Sequence, residues 1–204
     1  MNINLLDNAE AKQLQQLIIE AEHIVICAHK SPDGDALGSS LAWKSYLNQI
    51  GKTDVTVCMP DAYPDFLQWL PEANTVLRYD KNPEKVQETF NRADLVCCLD
   101  FNQYARVEAM RSTLEGCKAK RILIDHHLEP QTDNAITISQ PNMSSTSEMI
   151  FYIISQLGGY NDMTKDCAQC IYCGMMTDTG GFTYNSTRPE IYFVIGQLLS
   201  KGID

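Results

Sequence analysis

Arg121-Ile122-Leu123-Ile124-Asp125-His126-His127 sets an apolar run directly against one carboxylate and two imidazoles. The run Arg121–Ile124 has the pattern of a short buried strand. An Asp and two His where such a strand ends are poor core material, because burying them unpaired costs roughly several kcal/mol each. They suit binding of a divalent cation and movement of a proton. The arrangement recurs twice upstream. A strand expected over His23–Ala28 runs into His29-Lys30-Ser31-Pro32-Asp33-Gly34-Asp35, and one over Asp94–Leu99 ends at Asp100.

Around these strands the pattern alternates. Helices are expected over Ala9–Ala21, Ala36–Gln49 with Gly51 closing it, Pro83–Asn91, and Arg106–Glu115 ending at Gly116. Further strands are expected over Asp54–Met59 and Thr75–Arg78, with Ile136–Ser139 as an edge strand and Asp61–Pro71 irregular or short helical. Ser145-x-x-Glu148 and Thr187-x-x-Glu190 have the spacing of capping boxes opening helices to Leu157 and Lys201, and Thr164 caps a helix to Met176. Continuously apolar strands alternating with helices indicate an α/β fold, a mostly parallel sheet with helices on both faces. No internal repeat or low-complexity linker interrupts residues 1–204, which read as one unit.

The chain has 204 residues, 16 basic and 26 acidic, for a formal charge of -10. An acidic surface disfavours broad binding to duplex DNA, which relies on Lys and Arg along the phosphates. It leaves room for a small anionic substrate held through bound cations, which invert the local field. Met1–Lys12 lacks the basic and apolar regions of a secretory signal, and no apolar run approaches membrane-spanning length. Cys167, Cys170 and Cys173 have the spacing that begins an iron–sulfur motif, but the fourth ligand and its trailing Pro are missing. They read as the apolar side of a helix. Eight cysteines used in this way suit a reducing, cytoplasmic setting.

In parallel sheets, ligands collect beyond the carboxyl ends of the strands. Parallel strands would therefore bring the His29–Asp35 turn, Asp100 and Asp125-His126-His127 to one rim. A fourth cluster, Thr177-Asp178-Thr179-Gly180-Gly181, follows a helix. Each polar turn alone has an ordinary reading as turn or cap chemistry. Together the carboxylates would repel by about 4 kcal/mol per close pair at an effective dielectric near 20, and two divalent cations would cancel that charge. Carboxylate oxygen with some imidazole and no thiolate fits Mn²⁺ best, with Mg²⁺, Fe²⁺ or Zn²⁺ as alternatives.

His29-x3-Asp33-x-Asp35, Asp100, Asp125-His126-His127 and Asp178 resemble, in order and spacing, the four motifs of the DHH phosphoesterase superfamily. Gly38-Ser39-Ser40, Ser144-Ser145-Thr146-Ser147-Glu148 and Thr177–Phe182 look most like the branch that degrades very short RNA and removes the 3′-phosphate of pAp. The resemblance implies one Mn²⁺ on His29, Asp33 and Asp100, and a second on Asp35, Asp100, His126 and Asp178, with Asp100 bridging. It implies hydrolysis by a water that the two metals activate. His127 would face the substrate phosphate, with Asp125 behind the ligands orienting a histidine. Arg106, Ser145 and Thr146 are the candidate phosphate contacts.

Members of this branch continue into a smaller DHHA1 domain with a Gly-Gly-Gly-His-like loop and basic residues that grip the substrate. No such loop or basic cluster is found in these 204 residues, which would end near the start of an interdomain linker. The expected substrate is short RNA or a small phosphorylated nucleotide, and a homodimer is compatible with the reading. The alternatives are a cyclic-dinucleotide phosphodiesterase, a family-II pyrophosphatase or exopolyphosphatase, and a non-catalytic sensor that keeps the fold.

Overall fold

The computed structural model describes residues 3–204. In chain order the elements are α1 (Asn8–Glu20), β1 (Ile24–Cys27), α2 (Gly34–Gln49), β2 (Val55–Met59), β3 (Leu77–Arg78), α3 (Pro83–Arg92), β4 (Leu95–Leu99), α4 (Arg111–Gly116), β5 (Lys120–Asp125), β6 (Ile136–Ser139), α5 (Thr146–Gln156), α6 (Lys165–Asp178) and α7 (Pro189–Leu199). The six strands form one sheet in the order β3-β2-β1-β4-β5-β6, every pair parallel. Strand order reverses between β1 and β4, where an open α/β sheet leaves a crevice beyond its carboxyl ends.

Alternation along each strand assigns the two faces. Ile24, Ile26, Leu95, Cys97, Leu99, Ile122 and Ile124 meet the core under α1, α2, α5, α6 and α7. Val25, Cys27, Val96, Cys98 and Leu123 meet a smaller core under α3 and α4, filled by Phe90, Val107 and Met110. Cover on both faces is why these strands read as unbroken apolar runs. All eight cysteines are free and buried, and those of α6 pack in the larger core.

Several local expectations are corrected. The stretch expected as one helix over Arg106–Glu115 is a 3₁₀ segment, Tyr104–Met110, followed by the short α4. Glu108, at φ 40°, breaks it, and the bend lets the Arg106 carbonyl accept from Lys30 N at 2.9 Å while Glu108 pairs with Lys30 Nζ at 2.7 Å. The Thr187–Glu190 box does not form. Arg188 occupies the cap position of α7 without a side-chain cap bond, and Pro189 sits in the first turn. Only half of the Ser145–Glu148 box exists, Ser145 Oγ accepting from Glu148 N. A capping box unforeseen in the sequence, Asp7 with Glu10, opens α1. Helix α2 starts at Gly34, earlier than expected, so Asp35 belongs to its first turn.

Close packing of α2, α5 and α6 is what places the rim residues. Gly174 on α6 has no room for a side chain, since a Cβ there would overlap the Ser147 hydroxyl and come within 2.8 Å of Asp35 Oδ1. Gly174→Ala is expected to lower stability by about 1–3 kcal/mol in chemical denaturation, and unchanged stability would show that the helices separate freely.

Candidate active site

Each rim residue is delivered by a different element. Asp33 is the N-cap of α2, its Oδ1 accepting from Asp35 N and Ala36 N at 3.0 Å each, with Oδ2 3.9 Å from His29 Nε2. Asp35 is fully buried in the first turn of that helix. Its carboxylate accepts from Thr146 N at 2.6 Å and Ser147 N at 2.8 Å, two free donors at the N-terminus of α5. Asp100 leaves β4 in a left-handed conformation, φ 62°, and its Oδ1 accepts from the Thr146 hydroxyl at 2.9 Å. Asp178 arrives on the last turn of α6, with Oδ2 3.3 Å from His126 Nε2.

The hydrogen bond at Nδ1 decides which imidazole nitrogens are free. His29 Nδ1 lies 2.7 Å from the Lys30 carbonyl and His126 Nδ1 3.3 Å from the Met143 carbonyl. His127 Nδ1 lies 2.7 Å from the buried Asp125 carboxylate, which also accepts from His127 N at 2.9 Å. A carbonyl or carboxylate only accepts, so each Nδ1 donates, which makes Nε2 of His29 and His126 the lone-pair atom of the neutral ring and leaves Nε2 of His127 free. The Nε2 atoms point to the shared carboxylates: His29 is 3.4 Å from Asp100 Oδ2, and His126 is 3.6 Å from Asp100 Oδ1 and 4.0 Å from Asp35 Oδ2.

Electrostatics without a cation are strained. Burial, reinforced by the charges of Asp100 and Asp178, pushes Asp35 well above the usual carboxylate range. Burial and Asp100 push Asp178 up to about 6. Burial opposes ionisation of Asp100 too, but hydrogen bonding and charge from His29, with His126 and His127, hold it at about 2. Burial would lower His29, and the Asp100 carboxylate outweighs it, raising the imidazole to about 8. The Asp125 hydrogen bond raises His127.

Ligand atoms gather in three overlapping sets, each within 4.8 Å: His29 with Asp33 and Asp100, Asp35 with His126 and Asp178, and Asp100 with His126 and His127. The six residues expected as metal ligands thus meet at one place, and their oxygen and imidazole donors fit two hard or borderline divalent ions sharing Asp100. Ser145 and Thr146 are fully buried, and their groups serve the helix and the carboxylates rather than an open phosphate site. Arg106 is exposed, and its charge is felt at His127.

A supporting clamp was not legible in the sequence. Glu148, fully buried, accepts from Ser144 N and Ser144 Oγ at 2.8 Å each through Oε2, while Oε1 takes Arg188. Arg188 also donates to the Asn142 carbonyl at 3.0 Å. Together they hold the segment whose Met143 carbonyl orients His126 and whose next residues grip Asp35. Glu148 carries the spacing of a helix cap, and nothing in the sequence separates that role from a clamp.

Residues 23–175 match the DHH family, N-terminal domain. The bifunctional oligoribonuclease and PAP phosphatase NrnA of Thermus thermophilus is 32% identical over 180 residues, covering 88% of this chain and 50% of that protein. A solved structure of an exopolyphosphatase-related protein from Bacteroides fragilis superposes with a TM-score of 0.96 at 46% identity, over 99% of this chain and 59% of that one. Exonuclease RecJ bound to manganese shares the fold, with a TM-score of 0.55 at 16% identity over 97% of this chain and 49% of that one. The chain spans about half the length of these relatives. No helix among the described residues is long and apolar enough to cross a membrane.

Glu148→Gln puts an amide donor against Ser144 or Arg188, and is expected to weaken divalent-cation binding about tenfold by titration calorimetry. Unaltered affinity would restrict the clamp to folding. Asp178 supplies a pH test. It titrates near about 6 when folded without metal, against roughly 3.9 in an unfolded chain. Between those values the folded state holds a proton that the unfolded state has released, so this residue makes stability fall as pH rises from about 4 to 6. Metal-free Asp178→Asn is therefore expected to be more stable than wild type at pH 7 by about 1–2 kcal/mol, allowing for partial exposure. Urea melts at several pH values in chelator check this, and a wild type that stays the more stable at pH 7 would contradict it.

Proposed function

The chain belongs to the DHH family, and from that membership and the site geometry we propose that it is a metal-dependent phosphoesterase acting on short oligoribonucleotides and on the 3′-phosphate of pAp. The observation that carries the reading is the sharing of Asp100 between ligand sets that otherwise come from separate elements. His29, Asp33 and Asp100 would hold one ion, and Asp35, Asp100, His126 and Asp178 the other. Mn²⁺ is the metal that this mixture of carboxylate and imidazole favours, and RecJ, of the same fold, is bound to manganese in its solved structure. A bound pair of divalent ions supplies a water of lowered pKa and positive charge against the phosphoryl oxygens.

The chain's own residues do the rest. His127, pinned through Nδ1 on Asp125, holds a proton at Nε2 above the ordinary imidazole range and presents it to the phosphoryl group or the leaving oxygen. Arg106, exposed near His127, meets phosphate charge at the same rim. Lys30 is the neighbouring cation, but its ammonium is paired with Glu108. The NrnA of Thermus thermophilus, named for both activities, supports this substrate class.

The test uses chelator-stripped protein with Mn²⁺ added, on pAp, a 5′-phosphorylated dinucleotide, a cyclic dinucleotide and pyrophosphate. Turnover of the first two is expected. Hydrolysis of pyrophosphate alone would move the chain to an inorganic substrate, preference for the cyclic dinucleotide would make it a cyclic-dinucleotide phosphodiesterase, and tight metal binding with no turnover would make it a sensor. Asp100→Asn is expected to lose both ions and at least about 10²-fold in kcat. Wild-type turnover with two ions bound would end the assignment.

A further inference from the structure

We propose that Tyr184 is the base-stacking platform of a nucleotide subsite at the rim of this centre, an inference that rests on the phosphoesterase reading above. Tyr184 is a large aromatic side chain left 60% exposed, yet it is not loose. Its ring is seated on Gly180, at φ +54°, where a Cβ would overlap the ring. The turn beneath is pinned on both sides. Thr183 N and Tyr184 N donate to the Thr179 carbonyl at 2.9 and 3.1 Å, and Gly181 N donates to the Met176 carbonyl at 2.8 Å. The Thr183 hydroxyl donates to the Gly180 carbonyl at 2.8 Å.

Two connections place the residues flanking Tyr184 beside the rim. Gly180 follows the ligand Asp178 by two residues, so their Cα atoms are at most about 7 Å apart. On the other side Asn185 Nδ2 donates to the Ser144 carbonyl at 3.3 Å, and Ser144 leads into the segment whose Thr146 and Ser147 amides hold Asp35. The backbone that carries the ring therefore runs between the Asp178 turn and the segment that leads into α5.

A rigid, exposed π-face beside a centre built for a phosphoryl group matches the layout of a nucleotide, whose base lies beside its phosphate. Stacking on such a face tolerates any base. It also gives a carboxylate-rich rim a way to hold an anionic substrate without more positive charge. Gly180 then has a defined purpose, since any side chain there would unseat the ring.

The experiment compares KM and kcat in Mn²⁺ for a 5′-phosphorylated dinucleotide and for the same phosphodiester with abasic riboses. Tyr184→Ala is expected to raise KM for the base-bearing substrate about tenfold, as loss of one stacked base does, with kcat and the abasic substrate unchanged. Tyr184→Phe and Tyr184→Trp should keep wild-type KM. Tyr184→Leu, which refills the seat on Gly180 without a π-face, should behave as Tyr184→Ala while melting like wild type. Trp69, 55% exposed on the turn after β2, is the control, and Trp69→Ala should change nothing. Equal effects on both substrates, a leucine variant that behaves as wild type, or a matching loss in Trp69→Ala would overturn the stacking role alone. Wild-type protein that hydrolyses neither substrate would fail the phosphoesterase reading first, and this proposal with it.

Discussion

Two carboxylates, Asp35 and Asp100, lie almost without solvent beside one imidazole, with Asp178 completing the group. Buried like charges at this spacing are unfavourable unless donors and cations surround them. Most of the local structure around the rim answers that constraint. The N-terminus of α5 turns two amides onto Asp35, the Thr146 hydroxyl caps Asp100, and three imidazoles are each pinned through Nδ1, which leaves Nε2 of His29 and His126 facing the carboxylates.

This use of α5 has a functional consequence. A helix N-terminus is an anion site, and here the anion is a side chain of the protein itself. Both donors of Thr146 are engaged by Asp35 and Asp100, and Ser145 Oγ accepts from Glu148 N, so in the proposed reading recognition of a substrate passes to other groups: His127, Arg106 and the exposed ring of Tyr184. Glu148 and Arg188 do their work one layer further out, holding the segment that supplies both the α5 amides and the carbonyl behind His126.

Much of the fold was legible because its signals are local and repeated. Apolar runs such as Leu95–Leu99 and Ile122–Ile124 read as strands covered on both faces, and their shared polar endings pointed to one rim. The misreadings are equally local. Arg106–Glu115 has helical spacing, but the chain bends at Glu108 where that segment meets Lys30, which is distant in sequence. Thr187-x-x-Glu190 has the spacing of a capping box, yet Arg188, drawn to the buried Glu148, takes the cap position itself.

The sequence by itself determined the fold class, the residue types at the rim and the kind of cation they suit, since hydrophobic periodicity and the chemistry of Asp and His are properties of the chain alone. Only the tertiary structure decided which nitrogen of each imidazole faces the centre, which hydroxyls and amides are already taken, and that Tyr184 is held rigid on Gly180. Those outcomes depend on backbone carbonyls, amides and close approaches between elements far apart in the chain. Such groups are common to every residue, so they leave no mark in the order of side chains.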